Sequence, residues 1–261
     1  MEFDADLVAC AQLVERGDPD RFAASMAAPV TARPVLFSLY AFNIEVSRAP
    51  WVTEESMIAE MRLQWWRDAL EEIRTRGVVR RHEVVTPLAH VLDGEGAGLL
   101  DRLVEARRWD IYRDPFEDMA HFRAYIEDTS SNLMLAIARA LGGAPEVPET
   151  PLRHAGRALG IANWLRAVPA LERAGRIPLV DGTPEGVRAL AEEGLEALRA
   201  ARAARAEVPA AQRPALLPLW QVGPVLKRAA SDPRRVAEGR LELAPVQRRF
   251  GLMACALAGR W

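Results

Sequence analysis

Apolar residues recur every three or four positions along most of this chain, and alternation with period two is nowhere sustained, so the pattern predicts helices throughout. The strongest stretch runs from Thr53 to Ile73, TEESMIAEMRLQWWRDALEEI. Thr53 suits an N-cap, and Glu54 and Glu55 suit the positive end of a helix dipole. At about 100° per residue, Met57, Ile58, Met61, Leu63, Trp65, Trp66, Ala69, Leu70 and Ile73 cover more than half the circumference. Such a helix is expected at the centre of its bundle. Arg62 falls inside the apolar arc, and a charge on an inner face requires a carboxylate, a set of carbonyls or an anionic ligand beside it.

The remaining pattern predicts a succession of further helices. Asp4 to Gly17 reads as a first short one, and Asp18-Pro19-Asp20 turns the chain and restarts a helix at Arg21 to Met26, with Pro19 suited to a first helical position. The run VLFSLYAFNIEVSRA is a buried helix that Pro50 should stop near Ala49. Pro87 to Leu92 is a short helix, Gly94, Gly96 and Gly98 mark a loose turn, and Leu99 to Tyr112 is helical again. Asp114-Pro115 is read as the opening of the next segment, a helix from Glu117 or His121 to Leu141, ended by Gly142-Gly143. APEVPETP is a linker. Leu152 to Val168 is apolar on most sides and is therefore expected to be buried, with Pro169 ending or kinking it. Thr183 caps a helix to about Glu207, and Pro214 to Ala230 and Pro245 to Trp261 complete the set. The expected class is all-α, with residues 1–261 forming one helical domain.

Composition narrows the function classes. The chain has 261 residues, half of them hydrophobic, and a formal charge of −2, which argues against a dedicated nucleic-acid binder. Cys10 and Cys255 stand far apart without ligand-like neighbours, as in a reducing compartment, with no disulfide or zinc site expected. MEFDAD lacks the features of a secretory signal, and no stretch approaches 18 uninterrupted apolar residues. A cytoplasmic location, or one peripheral to the inner membrane, is expected. The apolar segment 245–261 is suited to core packing or to interfacial contact.

The catalytic inventory is thin. His82, His90, His121 and His154 are scattered, no zinc-protease, nucleophile-elbow or P-loop pattern occurs, and no strand precedes the glycines at 94–98. Glu117-Asp118 and Glu127-Asp128 are adjacent pairs that point apart on a helix.

Four runs carry a family resemblance. LFSLYAFN, RLQWWRDAL at 62–70, GRALGIANWLRAV at 156–168 and GRIPL at 175–179 resemble, in order and spacing, the squalene and phytoene synthases over residues 18–180. The resemblance implies an isoprenoid-synthase-type bundle around a central cavity. It also implies head-to-head joining of two prenyl diphosphates with magnesium held by two aspartate-rich motifs. Tyr40, Arg62, Trp66, Arg67, Asn163 and Arg166 match family positions. They are expected either to bind an anionic head group or isoprenoid chain, or to persist as packing and pairing residues.

At the two acidic motifs the chain departs from the pattern. The first reads Ser47, Arg48, Ala49, Pro50, Trp51, and the second Ala167, Val168, Pro169, Ala170, Leu171. Magnesium needs hard oxygen ligands and bridges carboxylates to phosphates, and an ionising allylic diphosphate needs that charge on its leaving group. Ser47, Arg48, Trp51, Ala167, Ala170 and Leu171 supply no carboxylate, and each proline should interrupt the helical face. No catalytic residue and no cofactor is therefore expected. The acid-depleted branch of the family resembles the assembly factor of respiratory complex I. That branch implies a protein partner, such as a complex I subunit or assembly intermediate. Two alternatives remain open: an active prenyltransferase with a relocated Mg²⁺ site, or a carrier of an isoprenoid or other lipid.

Overall fold

The computed structural model describes residues 4–142, 147–258 and 261. Thirteen α-helices occur among them, and no strand. The chain opens with α1 (Ala5–Gly17), α2 (Pro19–Ala27), α3 (Arg33–Arg48) and α4 (Ser56–Arg74). The middle holds α5 (Val85–Val91), α6 (Gly94–Ala106), α7 (Met119–Ile126), α8 (Asn132–Gly142) and α9 (Glu149–Arg173). It closes with α10 (Pro184–Ala203), α11 (Val222–Ser231), α12 (Arg234–Ala237) and α13 (Pro245–Ala258). Short side chains start several of these helices, Thr183 as the sequence suggests, whereas Thr53 does not cap α4, which begins after Glu55 without a side-chain cap. Asp18, Asp93, Asp118 and Thr183 each accept a hydrogen bond from the backbone N–H three residues on.

The centre of the bundle is α9, not α4. Helix α9 buries residues on every side, among them Leu152, Ala155, Ala158, Leu159, Ile161 and Leu165, and packs against α8, α10, α11 and the segment before α8. Helix α4 buries a single stripe, Ala59, Leu63, Trp66, Ala69, Leu70 and Ile73, against α6. Its surplus apolar residues lie at the surface: Met57 is 73% and Met61 66% exposed. Arg62 is exposed with them. The expected burial of Arg62 is thus corrected: a wide apolar arc does not require a central helix when part of that arc remains on the surface.

Four other expectations change. Gly94, Gly96 and Gly98 begin α6 instead of forming a loose turn, because Asp93 caps that end. Asp114-Pro115 precedes the next helix without starting it; Asp118 does that. Pro50 does end α3, which passes into a 3₁₀ turn at Ala49–Trp51, but Pro169 does not end α9, which continues to Arg173. A mid-helix proline costs about 3 kcal/mol, and the burial of α9 on all sides offsets it. Residues 210–221 form 3₁₀ helix, with α-helix resuming only at Val222. The expected stop at Gly142-Gly143 and the linker that follows fall partly on residues 143–146, outside the described residues.

Between α7 and α8 the chain makes a π-helical turn, Glu127–Ser131. It lies directly on α9, and glycine makes the approach possible. A Cβ at Gly156 would sit 2.5 Å from the Ser131 Cα, and one at Gly160 would sit 2.8 Å from the Ser130 Cβ. Ser130 donates its hydroxyl to the Gly156 carbonyl at 2.7 Å, tying the two segments together. Single π turns are frequent at functional sites, and this one faces the main cavity.

Candidate functional site

A cavity of about 540 Å³ opens between the α1–α2 turn, the C-terminal half of α3, the π turn and α9. Asn43 and Ser47 of α3 face Asn163, Ala167 and Ala170 of α9 across it, and Thr129 and Ser130 contribute from the π turn.

Its inner wall is a buried ion pair. In the 3₁₀ turn Arg107–Asp110, Arg107 donates to the Asp110 carboxylate at 3.0 Å and to the Tyr125 hydroxyl at 2.7 Å, while Tyr125 donates to Asp110 at 2.9 Å. Burial pushes the Tyr125 phenol well above its usual pKa, so it stays neutral and Asp110 supplies the balancing charge. Burial opposes the charge on Arg107, yet Tyr125 and Asp110 outweigh it and the guanidinium pKa is raised.

This turn is held from beneath by Arg176, which the sequence reading passed over although it lies in GRIPL. Gly175 adopts φ 76°, the left-handed conformation that ends α9 in a Schellman-type cap, with the Arg176 N–H bonded to the Leu171 carbonyl. The cap turns Arg176 inward. It donates to the carbonyls of Trp109, Asp110 and Tyr112, and its guanidinium lies 4.9 Å from the Trp51 ring centre. Burial, with a lesser contribution from the Arg113 charge, depresses its pKa, partly countered by Asp110 and Tyr125.

On the opposite side, Asp20 joins three elements. It accepts from Arg166 of α9 at 3.1 Å, from Gln221 at 2.9 Å and from Arg248 of α13. Arg166 also pairs with Glu242 at 2.7 Å. Burial works against the Asp20 charge, but Gln221, Arg166 and Arg248 outweigh it and hold its carboxyl below the usual range.

The residues singled out from the sequence do not form one site. Asn163 and Arg166 line the main cavity, and so do Ser47, Arg48, Trp51, Ala167, Ala170 and Leu171. Arg62 and Trp66 line a separate cavity of about 420 Å³ with Glu45, Trp65 and His82, and Arg48 borders both. Arg67 points away, to Asp101 at 2.7 Å and to Glu105 on α6. Tyr40 is buried beneath Arg21, whose guanidinium lies 5.2 Å from the ring centre. Sequence reasoning missed Asn43, which stands in LYAFN: it is 6% exposed, borders the cavity, and its Oδ1 has no hydrogen-bond partner.

The donor set does not suit magnesium. The carboxylates at the cavity are Asp18, Asp20 and Asp110, and each is paired with arginine. Ser47 donates back to the Ile44 carbonyl. Among the described residues no three His, Cys, Asp or Glu side chains come together as metal ligands. The arrangement is suited to apolar and hydrogen-bonding contact, not to anchoring a diphosphate through divalent ions.

Residues 14–180 match the family model described as Squalene/phytoene synthase. A Drosophila melanogaster protein named NADH dehydrogenase (ubiquinone) complex I, assembly factor 6 homolog is 33% identical over 175 residues, 63% of this chain and 51% of that protein. The Homo sapiens assembly factor 6 is 24% identical over 172 residues, 61% of this chain and 48% of its own length. The chain thus spans about half the length of the curated relatives it matches. Among solved structures, a dehydrosqualene synthase in complex with ligand superposes with a TM-score of 0.77 at 14% identity, covering 97% of this chain and 96% of that one. Squalene synthase HpnC from Alicyclobacillus acidocaldarius gives 0.72 at 16% identity, covering 88% and 94%. At such identities these two likenesses bear on the fold alone.

Proposed function

This chain belongs to the squalene/phytoene synthase family, and from that premise we propose that it is a non-catalytic member acting as an assembly factor for respiratory complex I. The observation that carries the reading is the wall of the main cavity. Serine, arginine and tryptophan stand on α3 and the turn after it, alanine and leucine on α9, and the cavity's aspartates are engaged by arginines. Ionising a prenyl diphosphate requires concentrated positive charge on the departing pyrophosphate. The residues present offer no carboxylates free to hold it there through magnesium. The names of the Drosophila and human relatives supply the direction of the alternative role.

On this reading the partner is a complex I subunit or an assembly intermediate, met at the periphery of the inner membrane. No helix among the described residues is long and apolar enough to cross a membrane. Deleting the gene should lower NADH-dependent respiration and the amount of assembled complex I, and normal levels of both would overturn the proposal. Incubation with farnesyl or geranylgeranyl diphosphate and magnesium should yield no condensed product. Magnesium with pyrophosphate should leave the melting temperature unchanged, since a ligand of the native state must raise it.

A second reading has one observation in its favour. The cavity persists, with the unpartnered Asn43 oxygen on its wall, and an isoprenoid or other lipid carrying one hydrogen-bond donor fits that chemistry. Mass spectrometry of the extracted protein would detect such a cargo.

A further inference from the structure

Helix α13 presents its more apolar face outward. Val246, Phe250, Met253 and Leu257 are 63%, 66%, 55% and 85% exposed. At 100° per residue they fall within an arc of about 60°. The opposite face is thinner: Cys255 is its buried residue, and Gly251 lies against the Trp220 ring. Arg248 fastens the helix to Asp20. A contiguous apolar stripe of this kind on a surface helix marks an interaction site.

The charges around the stripe say what covers it. Helix α13 contains no acidic residue, and Arg249 flanks the stripe, exposed to solvent. On the flank of the helix opposite Arg249, one crevice carries Arg228 and the next along the axis Arg202 and Arg205; neither is lined by an Asp or Glu side chain. Asp20 and Glu242, the acidic partners in this quarter, are engaged by Arg248 and Arg166. Outward apolar residues with a cationic border match the interface of an anionic bilayer, where side chains enter the acyl boundary and guanidinium groups meet phosphates. The helix has 14 residues, about 21 Å, too short to span a bilayer.

We propose that α13 lies flat in the surface of an anionic membrane, with Val246, Phe250, Met253 and Leu257 inserted and the exposed Arg249 and Arg205 on the headgroups. The inference rests on the membrane-peripheral part of the function proposed above, not on the identity of the assembled complex. Vesicle binding and complex I loss on deletion are separate measurements, and either can fail while the other holds.

The test is flotation of the full chain with phosphatidylcholine vesicles containing phosphatidylglycerol. Binding is expected at low salt, falling as salt rises and nearly absent on pure phosphatidylcholine. Phe250→Glu with Leu257→Glu should weaken it at least about tenfold, and Arg249→Glu should weaken it on anionic vesicles. Met57→Ser, at an equally exposed apolar residue of α4, should leave it unchanged. Circular dichroism of each variant establishes that it folds. As a readout without loss of binding, Phe250→Trp should be quenched by brominated lipid beyond the quenching of the parent protein. Wild type that stays with the soluble fraction would overturn the proposal. So would binding indifferent to the double substitution, or a concentration-dependent dimer that the double substitution abolishes in place of vesicle binding.

Discussion

Replacing Asp20 by asparagine tests the network that joins α2, α9 and α13. The Asp20 side chain is 13% exposed and accepts from Arg166, Arg248 and Gln221. Asparagine keeps the shape but loses the charge and one acceptor oxygen. Breaking a fully buried pair costs about 3–5 kcal/mol. Here Arg166 keeps Glu242 and is 22% exposed, and Arg248 is 36% exposed, so solvent takes up part of the loss. About 2–3 kcal/mol remains, the scale of hydrogen bonds to charged groups, or roughly 4–8 °C in melting temperature. The pH dependence has a definite sign. The folded Asp20 pKa lies below its unfolded value of 3.8, so its contribution is full above that value and is lost as pH falls through the folded pKa. The gap between wild type and Asp20→Asn, measured by urea unfolding, should be full at neutral pH and narrow from about pH 4 downward. An unchanged midpoint at neutral pH, or a gap that stays constant into acid, would refute the reasoning.

Other substitutions probe separate features. Gly156→Ala places a methyl 2.5 Å from the Ser131 backbone, where nothing flexible can yield, and should cost about 3 kcal/mol; a melting temperature within a degree of wild type would contradict the close packing. Asn43→Leu removes a buried oxygen that has no partner and should be neutral or stabilising by up to about 1 kcal/mol, whereas a clear drop in thermal stability would mean the oxygen is engaged. Arg67→Ala breaks a half-exposed pair with Asp101 and Glu105 and should cost no more than about 1 kcal/mol. It should also leave complex I levels unaltered in a complemented deletion strain, and lost complementation by a folded protein would return Arg67 to the functional surface.

Much of the architecture was written locally in the chain. The helical class follows from the periodicity alone, and the cap at Thr183 follows from a short side chain that reaches a backbone N–H three residues away. The absence of paired carboxylates at Ser47–Trp51 and Ala167–Leu171 is likewise plain in the residues themselves. Tertiary structure decided everything that depends on what lies opposite. Periodicity names a helix face but not its neighbour, so α4, expected at the centre, lies at the outside, α9, expected to be buried, is the central helix, and Arg62 came to the surface. A proline's local cost is calculable, but whether packing offsets it is not, and Pro169 stayed within its helix. The Asp110–Arg107–Tyr125 wall and the Asp20–Arg166–Arg248 network connect residues up to 228 positions apart. Such charges meet only when the fold removes them from water together, which no local pattern records.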